Sequence, residues 1–96
     1  MVKAKTFRVT YDAAADVLYI SHLRAPAVRS LEDEKGAVWR YAEDDQLVGV
    51  TLADFADIWI DDQPALASEL SRRFGITALQ AHGLVARAAV DRKNAS

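Results

Sequence analysis

The hydrophobic pattern of this chain changes period near residue 62, and few folds accommodate the change. Before that point apolar residues alternate with polar ones, as on a half-buried strand; after it they recur every three to four residues, as on a helix. A run of strands followed by a run of helices predicts an α+β fold. The expected architecture is a small antiparallel sheet of about five strands with two hairpins. Two C-terminal α-helices follow, packed on the sheet or on a dimer partner. Residues 1–96 form a single domain on this reading, with a sheet region over 6–55 and a helical tail over 61–91.

Phe7, Val9 and Tyr11 alternate with Thr6, Arg8 and Thr10, and a second alternating run extends from Val17 to Leu23. Asp12 and Asp16 flank the short connection between them and read as turn residues, because an Asx carboxylate can accept backbone N–H groups. Pro26 ends the second strand, and a third starts near Val28 before the acidic run Glu32-Asp33-Glu34, which Lys35-Gly36 closes as a turn. Ala37 to Tyr41 and Leu47 to Leu52 flank a polar connection and predict the second hairpin. Gly49 stands inside a strand, where it marks a bulge or leaves room for a neighbouring aromatic side chain. Residues 53–60 fit a continued strand, a helical turn or a crossing to the helices equally well.

Asp61-Asp62 ahead of Pro64 is a helix start signal. Leu66, Leu70 and Phe74 then form one apolar stripe, and Gly75 is placed to end the helix. Thr77 with Gln80 fits a capping box for a second helix, expected to reach about Arg87 or Asp91 with Asn94 to Ser96 frayed.

The order Tyr11-Asp12-x-x-x-Asp16-x-Leu18-Tyr19-Ile20, followed by a hairpin and Leu47-Val48-Gly49-Val50, resembles a small prokaryotic family catalogued as domain of unknown function 2283. The resemblance covers about residues 6–55. It implies a compact antiparallel sheet and carries no established activity. Tyr11, Asp12, Asp16, Tyr19 and Gly49 are the motif positions. The chain departs from the pattern at Thr51, where the family usually carries Glu after Gly-Ile, and its helical tail is longer than the family domain needs.

Composition removes several kinds of chemistry. There is no cysteine, so a disulfide framework, a thiolate metal site and a thiol nucleophile are all excluded. Met1 to Lys5 leads into Thr6-Phe7-Arg8 without an apolar signal region, and no apolar run approaches a membrane span; a soluble, cytoplasmic protein is expected. The net charge of −2 hides a division. Residues 1–63 hold seven Lys and Arg against twelve Asp and Glu, whereas residues 64–96 hold five against two. Tyr11, Tyr19, Trp39, Tyr41, Phe55 and Trp59 therefore lie in the acidic half, where phosphate is repelled, and read as packing residues rather than a base-stacking platform.

Candidate catalytic groups are few. His22 and His82 are the only imidazoles, and no nucleophile elbow, zinc-binding His-Glu-x-x-His or phosphate-cradling glycine loop is present. Asp54, Asp57, Asp61 and Asp62 are dense but lack the order of a calcium loop, so neither a metal site nor a cofactor is assigned.

Three functions follow from these residues. The leading one is a non-catalytic protein-interaction domain, acting as a homodimer through its sheet edges or its helical tail, with Trp59, Leu66, Leu70 and Phe74 as the candidate interface residues. The second is an antitoxin-like or transcriptional regulator. Ser71, Gly75, Ile76, Ala81 and Leu84 fit the packing positions of a helix-turn-helix, with Arg72 and Arg73 on phosphate and Thr77 and His82 toward the bases. The third is a small enzyme using His22 and an acid at a dimer cleft.

Overall fold

The computed structural model describes residues 6–22 and 26–95. The basic start at Met1 to Lys5, the expected strand end at Leu23 and the terminal Ser96 lie outside the described residues. Five strands, β1 (Arg8–Asp12), β2 (Val17–Ser21), β3 (Arg29–Glu32), β4 (Ala37–Tyr41) and β5 (Leu47–Ala53), precede three helices, α1 (Phe55–Ile58), α2 (Gln63–Phe74) and α3 (Ala78–Ala95). This is the α+β architecture that the change of period predicts.

The sheet is antiparallel throughout, in the order β1-β2-β5-β4-β3. The two expected hairpins, β1–β2 and β4–β5, are present, and β3–β4 is a third. It closes where Gly36 takes φ 81°, with the Asp33 N–H donating to the Ala37 carbonyl at 2.9 Å and the Gly36 N–H to the Asp33 carbonyl at 3.0 Å. The meander β3-β4-β5 returns its last strand beside β2, so the connection after β2 crosses to the far edge and leaves β3 there.

The register explains the core. Val9, Ile20, Val50, Trp39 and Leu31 face one another across all five strands, and Tyr11, Leu18, Leu52 and Ala37 form the next row on the same face. Leu18, Ile20, Val50, Leu52 and Trp39 are fully buried there. Phe55 and Trp59, the stripe Leu66, Leu70 and Phe74, and Ala81, Val85 and Ala88 cover this face from the helical side. Each large apolar side chain so buried stabilises the fold by about 1.5–3 kcal/mol. Helices lie on one face only, and the opposite face carries Arg8, Thr10, Tyr19, Arg40 and Glu32 by alternation.

Gly49 is required by proximity. A Cβ there would stand 2.6 Å from the Ile20 carbonyl oxygen, so β2 backbone, not an aromatic ring, occupies the space. A bulge adjoins it: Arg40 faces Gly49 while Tyr41 faces Leu47, leaving Val48 out of register.

Residues 53–60 resolve into a strand end, a left-handed Asp54 at φ 53° and the single turn α1. At α2, Asp62 occupies the N-cap position but its carboxylate makes no capping bond. The carboxylate pairs with Lys35 at 3.6 Å instead, while the helix starts where the signal places it, with Pro64 in its first turn. Gly75 ends α2 at φ 68° as expected, and the Thr77 hydroxyl accepts the Gln80 N–H at 3.1 Å at the start of α3. α3 continues to Ala95, beyond the expected end, and Ala81, Leu84, Val85 and Ala88 form the buried face of its first three turns. No helix among the described residues is long and apolar enough to cross a membrane.

Candidate functional site

Asp12 and Asp16 flank one turn and do different work. The Asp12 carboxylate accepts the N–H groups of Ala14 and Ala15 at 3.1 and 3.3 Å, an Asx turn as expected. Asp16 sits at φ 54° and aims away from the turn. Its carboxylate accepts the Tyr11 hydroxyl at 2.5 Å and the Ala56 N–H at 3.0 Å, and its carbonyl accepts the Phe55 N–H at 3.1 Å. A residue of the first hairpin thereby caps α1, forty residues on, in the place that Asp54 leaves without a side-chain cap. The Tyr11 phenol is held above the usual tyrosine range, first by its hydrogen bond to Asp16, then by burial and the Asp16 charge. Tyr19 faces outward from β2 and is exposed.

A groove of about 580 Å³ opens between the β3–β4 turn and α2, lined by Glu32, Asp33, Lys35, Trp59, Glu69 and Arg73 among others. Asp33 organises its sheet side, accepting the Trp39 indole N–H at 3.0 Å and the N–H groups of Lys35 and Ala37 at 2.9 and 3.0 Å. Burial opposes its charge, but these donors, with Arg73 nearby, hold its carboxyl below the usual carboxylate range. On the helix side Glu69 accepts Arg72 at 2.8 Å and Arg73 at 2.9 Å, and Arg72 above all holds its carboxyl low against the effect of burial. Arg73 lies 4.5 Å from the centre of the Trp39 ring, and the Lys35 ammonium 4.7 Å from that of Trp59. Asp33, Lys35 and Glu69 went unread as a group in the sequence. The Glu69-x-x-Arg72-Arg73 spacing was a legible signal for the helical half; nothing local links it to Asp33.

With this geometry in place, comparison with known families gives one match. A model described as protein of unknown function (DUF2283) matches residues 8–55. The chain belongs to that family. No curated protein and no solved structure matches the chain. The DUF2283 segment is the five-stranded sheet plus the first residue of α1, so Tyr11, Asp12, Asp16 and Gly49 are structural elements of the matched region. At Thr51, where this chain departs from the pattern, the hydroxyl accepts the Arg40 guanidinium at 2.8 Å on the outer face of the DUF2283 sheet.

The remaining sequence-derived positions fall outside one common site. Trp59, Leu66, Leu70 and Phe74, expected at a partner interface, are buried inside a single DUF2283 chain, because the sheet itself offers the apolar face they need. Arg72 and Arg73, expected on phosphate, are engaged by Glu69, and Arg73 also lies against Trp39. Ser71 and Ile76 are joined by a 2.7 Å bond from the Ser71 hydroxyl to the Ile76 carbonyl, and Ile76, Ala81 and Leu84 are buried. The helix-turn-helix pattern is thus used for packing α2 against α3. Thr77 caps α3, and His82 is exposed beside it.

His22 has its Nδ1 3.1 Å from the Thr6 carbonyl and its ring 5.1 Å from that of Phe7. Among the described residues the charged group sharing its pocket is Arg73, a cation, and no acid lines that pocket with it. Among the described residues no group of three or more His, Asp or Glu side chains gathers to hold a metal ion.

Where the sheet ends, the surface changes character. All four residues of β3 are exposed, and Val28 and Leu31 expose 64% and 55% of their surface. No described strand lies beyond β3.

Proposed function

We propose that this chain is a non-catalytic interaction domain that acts as a homodimer, with the β3 edge of its sheet as the contact surface. The observation that supports it is the exposure of a whole edge strand together with Val28 and Leu31. An edge strand presents a row of backbone donors and acceptors, and apolar side chains beside them add area worth removing from water. The helices do not extend over that edge: Leu31 continues the row Val9, Ile20, Val50 and Trp39, all buried, yet stays exposed itself. Size-exclusion chromatography with light scattering on the full chain tests the proposal. A particle of twice the 10.6 kDa chain mass at micromolar concentration is expected. A monomer throughout that range overturns it.

A further inference from the structure

Resting on that homodimer, the register of its seam can be derived from the backbone. The Asp33 N–H bond to the Ala37 carbonyl marks Asp33 and Ala37 as a hydrogen-bonded pair at the closed end of the β3–β4 hairpin. Bonded and non-bonded pairs alternate in an antiparallel ladder. Leu31 with Trp39 and Arg29 with Tyr41 are therefore bonded pairs, while Ser30 opposite Arg40 and Glu32 opposite Val38 are not. The backbone N–H and C=O of Ser30 and Glu32 point away from β4, toward the open edge.

We propose that two copies join through β3 in antiparallel orientation about a two-fold axis at Leu31, making one continuous sheet of both molecules. Ser30 of each copy exchanges its backbone bonds with the partner's Glu32, the pairing that brings outward-facing groups together around Leu31. Leu31 then meets the partner's Leu31 in a non-bonded pair, the arrangement in which opposing side chains stand closest.

Charge selects this register over its neighbours. β3 starts at Arg29 and ends at Glu32, with Asp33 and Glu34 following in the turn, so antiparallel pairing sets the positive end of each strand against the negative end of the other. Arg29, which pairs with Asp45 of its own chain at 3.0 Å, lies opposite the partner's Asp33 and would share its charge between the two carboxylates; both side chains are on the helix-bearing face, Arg29 over the Tyr41 ring and Asp33 bonded to Trp39. Within its own chain the Asp33 carboxylate accepts the N–H groups of Lys35 and Ala37 and the Trp39 indole N–H. Shifting the axis to Ser30 would instead place Arg29 opposite the partner's Leu31 and lose both the leucine pair and the ion pair. With the axis at Leu31, both helical layers lie on the same side of the joined sheet, and the grooves beside α2 flank the seam.

The absence of cysteine from the chain makes the test direct. Leu31→Cys places two thiols across the axis, at a separation that a disulfide spans. Val90→Cys on α3, at a side chain of equal exposure, 55%, is the comparison. Under mild oxidation Leu31→Cys is expected to run mostly as a covalent dimer and Val90→Cys as a monomer. Ser30→Pro provides a second reading, because it removes an N–H that serves only the partner and leaves the bonds to β4 intact. It is expected to weaken dimerisation by at least about tenfold while far-ultraviolet circular dichroism stays unchanged. If the unmodified chain is dimeric but Leu31→Cys fails to cross-link, or Ser30→Pro dimerises as tightly as the unmodified chain, this seam is wrong and the homodimer stands. If the unmodified chain is monomeric, both fall together.

Discussion

At φ 54°, Asp16 holds a left-handed conformation that a non-glycine residue adopts at some cost, and it recovers that cost through bonds its neighbours cannot make. Tyr11 and Ala56 both donate to its carboxylate, so one side chain ties the first hairpin to the turn that follows β5. Asp16→Ala is expected to lower stability by about 1–3 kcal/mol, since it strands a part-buried hydroxyl and a helix N–H. Urea denaturation measures this, and an unchanged midpoint would show that the Asp16 bonds contribute nothing to stability. Tyr11→Phe examines the same bond from its other end. The folded phenol is held above the usual tyrosine range, so its contribution is complete below the ordinary tyrosine value and is lost as pH rises through the raised one. Spectrophotometric titration should show one tyrosine ionising late, and that step should vanish in Tyr11→Phe. The sequence placed Asp16 in the turn, but its carboxylate serves Tyr11 and Ala56 rather than the turn backbone. Its bond to Ala56 was invisible there because forty residues separate the two, and no local pattern encodes that distance.

The helices illustrate how the same pattern can be read for the wrong partner. Leu66, Leu70 and Phe74 recur at helical spacing, which specifies an apolar stripe but not what covers it. The sheet in the same chain covers it, with Phe74 edge-on to Phe7 and tilted against Trp39. Leu70→Ala, at a fully buried position, is therefore expected to destabilise by about 2–5 kcal/mol at any protein concentration. Thr77→Ala, which removes only the N-cap bond of α3, should cost about 1 kcal/mol. Thermal unfolding at two concentrations checks both; a Leu70→Ala effect that disappeared on dilution would return the stripe to an interface. The small residues, Gly75 and hydrophobics between α2 and α3 fitted a helix-turn-helix for a related reason. Any close helix pair needs that spacing, and DNA reading needs free cations as well, whereas Glu69 engages both arginines.

On the scale of the whole molecule, charge and sheet topology work together. Asp33 and Glu69 face each other across the groove between the β3–β4 turn and α2, and both are held below the usual carboxylate range. A lowered folded-state value means that the unfolded chain binds more protons, so the stability these groups contribute is complete above the ordinary carboxylate range. It is lost as pH falls through the lowered values. Urea midpoints measured downward from neutral pH should fall across that window, and Asp33→Asn should fall less steeply there from a lower starting stability. Equal slopes for the two proteins would show that Asp33 carries no such linkage. Alternating residues in the first half and helical spacing in the second were sufficient to determine strands, the two long helices and the α+β class, because these properties depend on neighbours within a few residues, and the motif from Tyr11 to Ile20 carried the resemblance to the family. Strand order, the Asp16 cap, the Asp33 and Glu69 groove and the exposure of β3 were decided by tertiary structure. Each depends on which distant segment the connection after β2 brings alongside, and a contact between distant segments leaves no period in the sequence for either one to reveal.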